Sequence, residues 1–187
     1  SILPDTAQLT ITADFQTYNA MSNVSSGNAH TCGLIDGDVY CWGANSYQQT
    51  GQNTSPVLSP AKVSGFDGPA SQGSAGDDHT CALVLGEVYC FGNNNNKQLG
   101  AGSGFTGDFT YVPQLVVDSS GGPIEGVAAI DAGKSHTCAI KNGNVLCWGV
   151  NGAGQLGNGT LNTPIDHAVF VIPPPTQSGI LGIEHVT

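Results

Sequence analysis

The sequence predicts an all-β fold of repeated antiparallel blades, and three observations carry that prediction. A hairpin motif occurs three times, at His30 to Gly43, His79 to Gly92 and His136 to Gly149. Each copy opens with His-Thr-Cys, turns through two residues and closes with Cys-aromatic-Gly. Glycine is abundant, at 27 of 187 residues, and only 10% of residues are charged, which suits many tight turns and little exposed helix. The first cysteines of the copies lie 49 and then 57 residues apart, a period characteristic of propellers and related arrays.

Taken in order, Leu9 to Phe15 alternates apolar and polar residues with period two, as a half-buried strand does. It stands outside the repeats, so residues 1–19 are read as an N-terminal strand segment and residues 20–187 as the repeat domain. Asn19 to Gly27 leads into the first hairpin. Its turn is Asp36-Gly37, a strong signal for a tight two-residue connection. Ala44 to Gly65 follows as a polar connection with prolines at 56 and 60, and Gln72 to Asp78 leads into the second hairpin. That hairpin turns through Leu85-Gly86, the poorest of the three turn signals.

A long loop from Asn93 to Val112 precedes Pro113 to Val117, read as an outer strand. Gly126 to Gly133 is an apolar inner strand entering the third hairpin, which turns through Asn142-Gly143. Beyond it, Ala168 to Ile172 gives another strand, stopped by three prolines. Gly179 to Val186 repeats the pattern of Gly126 to Gly133 and reads as the first strand of a fourth repeat.

Counting outward from each turn sets Cys32 opposite Cys41, Cys81 opposite Cys90 and Cys138 opposite Cys147. In a two-residue hairpin these pairs fall on non-hydrogen-bonded sites with Cα atoms about 4.5 Å apart, within the window of a disulfide. Register thus selects one pairing from the fifteen that six cysteines allow. Each bridge would contribute about 2.5 kcal/mol in the chain-entropy model. Zinc is disfavoured, since opposed strand cysteines nine apart do not have knuckle spacing.

Composition excludes several classes. Four Lys and Arg against 14 Asp and Glu give a net charge of −10, so nucleic acid and anionic membrane surfaces are poor partners. No apolar run reaches the length of a bilayer span, so no membrane insertion is predicted. Ser1 is not an initiator methionine, and the sequence is read as one from which a leader has been removed or as a piece of a longer chain.

The residues His-Thr-Cys-Ala-Ile140, Val-Leu-Cys-Trp-Gly-Val-Asn151 and Gly-Gln-Leu-Gly157 resemble the repeat of the regulator of chromosome condensation family. The resemblance covers roughly residues 20 to 187 and is strongest in the third repeat. It implies β-propeller blades, commonly four-stranded, here as an incomplete propeller of three repeats and part of a fourth. The first two repeats depart from Gly-Gln-Leu-Gly, reading Gln48-Gln49-Thr50-Gly51 and Lys97-Gln98-Leu99-Gly100. The family's nuclear founder promotes nucleotide exchange on a small GTPase and contacts chromatin, but other members use the fold for other partners. Paired cysteines and acidic charge argue against the nuclear role.

Candidate chemistry is thin. His30, His79 and His136 occupy one repeat position and open the reading of metal ligands or general bases; the plainer reading is that each satisfies a backbone group beside its hairpin. Trp42, Phe91 and Trp148 would form a sugar-stacking surface or, more simply, pack between blades. Asp77-Asp78 and Asp36/Asp38 lack the spacing of a calcium loop. No catalytic, cofactor or metal residue is assigned, and the chain is read as a non-enzyme. Asn23, Asn53 and Asn158 fit the N-glycosylation pattern.

The functional expectation is an extracellular structural protein that assembles with itself head to tail into a filament or ring. Leu9, Ile11, Ala13 and Phe15 of one copy would add to the edge carried by Ile180 and Ile183 of the next. The alternative is a ligand-binding propeller segment of a secreted or surface protein, recognising protein or carbohydrate through loops 44–65, 93–112 and 150–167.

Overall fold

In the computed structural model of the protein, residues 20–161 and 164–173 are described. They form three four-stranded antiparallel sheets in which spatial order follows chain order. Blade 1 comprises β1 (Ser22–Ser26), β2 (His30–Ile35), β3 (Asp38–Gly43) and β4 (Val57–Lys62). Blade 2 comprises β5 (Ala70–Ala75), β6 (His79–Val84), β7 (Glu87–Asn93) and β8 (Phe109–Leu115). Blade 3 comprises β9 (Val127–Ala132), β10 (His136–Lys141), β11 (Asn144–Gly149) and β12 (Ile165–Phe170). The predicted strands at Leu9 to Phe15 and Gly179 to Val186 lie outside the described residues.

The three central hairpins have the predicted register, with Cys32 opposite Cys41, Cys81 opposite Cys90 and Cys138 opposite Cys147. All three pairs are disulfides with Cα atoms 4.1 Å apart, and no described cysteine is free. Each turn places two successive residues in the left-handed region, Asp36 and Gly37 at φ 52° and 84°, Asn142 and Gly143 at 50° and 76°. This is the backbone that lets a two-residue connection follow the strand twist. Leu85 adopts it too, at φ 51°, without the polar side chain that eases the conformation.

Several predicted connections contain strands. The lead-in at Asn19 to Gly27 holds β1 and that at Gln72 to Asp78 holds the greater part of β5, whose first residue is Ala70; their Ser, Asn and Gln residues masked the strand pattern. Ala44 to Gly65 contains β4, and the fourth strands of blades 2 and 3 begin earlier than predicted, at Phe109 and Ile165. Pro60 and Pro113 sit within β4 and β8 because these are outer edge strands, where a missing N–H breaks no ladder.

The core lies between blades. Leu34, Val39, Ala70, Val84, Tyr89 and Phe91 fill the layer between blades 1 and 2. Leu83, Val88, Val127, Ile130, Leu146 and Trp148 fill the next. In each blade one set of side chains therefore packs forward and the alternate set packs backward, as strand alternation requires.

Candidate functional site: the contact between blades

The repeat motif builds one contact set and uses it twice. His30 Nε2 lies 2.8 Å from Thr80 Oγ1, and His79 Nε2 lies 2.8 Å from Thr137 Oγ1. Thr80 in turn donates its hydroxyl proton to the Gln49 carbonyl at 2.7 Å, and Thr137 donates to that of Gln98 at 3.4 Å. Since the hydroxyl proton is committed to the carbonyl, the imidazole must donate from Nε2. Nδ1 of both His30 and His79 is consequently an unprotonated, buried nitrogen with no hydrogen-bond partner. Burial holds the His30 imidazole down at about 4 and His79 at about 3.

The expectation that each histidine satisfies a backbone group beside its own hairpin is corrected for His30 and His79, whose rings bond a side chain on the following blade. The glycine three residues earlier makes room for the ring. A Cβ at Gly27 would collide with the His30 ring and the Gly76 carbonyl, and Gly76 stands in the same relation to His79 and Gly133.

Two further layers complete the contact. The first strands are linked by side-chain oxygens that accept backbone N–H groups: Ser25 from Ala75 at 3.0 Å, Ser74 from Ala132 at 2.9 Å, and Gln72 from Ile130 at 3.0 Å. Aromatic residues pack backward. Phe91 lies against Gly51, while Trp148 lies against Gly100 and donates its indole N–H to the Gln98 carbonyl at 2.9 Å. Phe91 and Trp148 are fully buried between blades, whereas Trp42, at the same position in blade 1, is half-buried.

The loops after β3, β7 and β11 share a turn that the unequal sequences obscured. Asn45, Asn94 and Asn151 each accept the backbone N–H five residues on, and Gln49, Gln98 and Gln155 each accept the N–H two residues back. Gln48-Gln49-Thr50-Gly51 therefore folds like Gly154 to Gly157. The carbonyls of Gln49 and Gln98 are thereby aimed at the threonine of the next blade.

The histidines do not converge on a metal. Among the described residues no group of three His, Cys, Asp or Glu is placed to hold an ion. Asp38 pairs with Lys62 at 2.6 Å and Asp77 with Lys134 at 3.8 Å. The sequon residues Asn23, Asn53 and Asn158 lie at exposed or half-exposed positions, each with its side-chain oxygen accepting a hydrogen bond. The partners Thr80, Thr137, Gln49 and Gln98 were missed from sequence, although the run Gly-x-x-His-Thr recurs unchanged at 27–31, 76–80 and 133–137.

Three antiparallel blades joined face to face by one repeated contact define a β-propeller repeat protein. The chain belongs to the regulator of chromosome condensation (RCC1) repeat family, whose description matches residues 36–83 and 86–140, with a second description of the same repeat matching 70–98 and 127–155. Human WBSCR16 is similar at 24% identity and a TM-score of 0.70, over 82% of this chain and 38% of that one. Yeast RCC1 (Prp20), solved bound to Kap60, is similar at 18% identity and a TM-score of 0.71, over 84% of this chain and 38% of that one. The chain thus spans less than two fifths of the length of these structures. No described helix is long and apolar enough to cross a membrane.

Proposed function

We propose that the protein is a non-enzymatic structural module of the extracellular space whose blades are units of a self-associating array. The observation that carries this reading is that the contact set forms between blades 1 and 2 and between blades 2 and 3, while each outer blade presents one half that no described residue matches. The three intramolecular disulfides suit an oxidising compartment. Glycans at Asn53 or Asn158 would project from the loops and leave the blade faces clear. Electron microscopy of the oxidised chain tests the reading: rings or filaments are expected, and a field of uniform single particles at every concentration would contradict it.

A second reading is favoured by the loops of blades 1 and 2, where Tyr47 and Phe109 meet edge to face with centroids 6.4 Å apart. Nearby, Tyr111 and Val112 line a groove of about 440 Å3 together with Gln52, Asn53 and Lys62. Such a surface suits a protein or carbohydrate ligand. Binding to an oligosaccharide panel, lost on Tyr111→Ala, would support it; no binding to any member would remove the carbohydrate form.

A further inference from the structure

The forward face of blade 3 is built like the forward faces of blades 1 and 2, yet no described residue covers it. Leu34 and Leu83 are 4% and 3% exposed because the next blade covers them, whereas Ile140, at the same repeat position, is 44% exposed. Ile140 and Val145 line an apolar groove of about 250 Å3 with Ala129, Ile130 and Asp131. At its margin stand His136, the third repeat histidine, whose ring makes no hydrogen bond to a described residue, and Gln155, whose side chain holds the same turn as Gln49 and Gln98.

The backward face of blade 1 is the missing counterpart. Ile130 in blade 3 is 3% exposed where it packs on blade 2, while its equivalent in blade 1, Val24, is 60% exposed. Thr31 stands where Thr80 and Thr137 receive a histidine, and Trp42 where Phe91 and Trp148 pack backward. Neither the Thr31 hydroxyl nor the Trp42 indole N–H is hydrogen-bonded to a described residue.

We propose that the forward face of blade 3 receives blade 1 of a second copy of this chain. This rests on the self-association proposed above and names its surface. His136 Nε2–H donates to Thr31 Oγ1 of the second copy, and the Gln155 carbonyl accepts from that threonine and from the Trp42 indole. Ile140 and Val145 cover Val24 and Trp42. The occupant is identified by continuity with an interface the molecule already makes twice: donor, acceptor, ring and apolar surface are all supplied, each at its repeat position. Because the two faces differ, the contact is heterologous and extends or closes rather than stopping at a dimer.

The test uses the full oxidised chain and two variants, Ile140→Glu on the forward face and Trp42→Glu on the backward face, weighed by light scattering. The expected result is that wild type exceeds its 19.0 kDa monomer mass, and that each variant alone associates about thirtyfold more weakly, the effect of losing a buried interface anchor. An equimolar mixture of the two then recovers a dimer, since one intact face of each kind remains. Trp42→Phe, which restores the blade 2 residue, keeps assembly and checks that the Glu variant acts at the contact rather than on folding. If wild type assembles and Ile140→Glu assembles equally well, this surface is wrong while self-association stands. If wild type weighs 19.0 kDa at all concentrations, self-association itself is wrong. A mixture that stays monomeric overturns the pairing of forward with backward face.

Discussion

Strands β6 and β10 read His-Thr-Cys-Ala-Leu-Val and His-Thr-Cys-Ala-Ile-Lys, yet all six residues of β6 are buried while in β10 only alternate residues, Thr137 and Ala139, are. The difference comes from neighbours. Blade 2 is packed on both sides, so both faces of its strands are covered. Among the described residues blade 3 is covered only by blade 2, so the residues that face forward remain partly exposed. Blade 1 shows the mirror image, with His30, Cys32 and Leu34 buried forward and Thr31 and Ile35 half-buried behind. Burial in this molecule is thus a property of interfaces more than of blades, as expected of a stack in which each unit touches only the next.

The largest break in that comparison is expected from the aromatic position. Trp148→Ala empties a fully buried site between blades 2 and 3 and should cost about 3–5 kcal/mol in denaturant unfolding. Trp42→Ala in the monomer should cost about 1 kcal/mol or less, as for other partly exposed positions. Equal costs would mean that the blade, not the interface, is the unit of stability.

Acid should follow the same division. Above pH 6.5 the imidazoles are neutral in folded and unfolded chains alike. As pH falls from 6.5 toward about 4, the unfolded chain binds protons that buried His30 and His79 refuse. Stability therefore drops with falling pH over this window and levels off below the folded values, His30 alone accounting for on the order of 3 kcal/mol. His136, half-buried and also lowered by desolvation, should contribute less. Replacing His30 and His79 with Gln should flatten the profile of melting temperature against pH between 6.5 and 4; an unchanged slope would remove the histidine account.

Thr80→Val leaves the His30 N–H without an acceptor in a buried layer and should cost about 1–3 kcal/mol. Thr31→Val should change monomer stability by about 0.5 kcal/mol or less. The smallest effect is local. Leu85→Asn, at the strained turn position, should raise stability by about 1 kcal/mol, read as a higher melting temperature.

Much of this was legible because the hairpin encodes itself: turn residues set the register, and the register set the disulfides. The first strands were hidden because Ser25, Gln72 and Ser74 serve as acceptors for the next blade, so polar residues stand where an alternating apolar pattern was sought. The partner of each histidine was hidden for a related reason. Cys32 and Cys41 are nine residues apart and joined by a local turn, whereas His30 and Thr80 are 50 apart and meet only when two blades stack. The repeated Gly-x-x-His-Thr run marked the position without indicating which blade supplied the partner. The shared turn of Asn45, Asn94 and Asn151 escaped notice because its bonds are made by the Asn and Gln that remain when Leu becomes Thr50.

The central claim, that the outer faces are two halves of one contact, is tested most directly by the chain's two tryptophans. Trp148 is sealed between blades, so acrylamide should quench Trp42 selectively in dilute solution. With rising protein concentration at neutral pH, the account predicts that the quenchable fraction disappears and the emission shifts blue as Trp42 enters a neighbour's face. Trp42 emission that stays equally quenchable across the whole concentration series would contradict it.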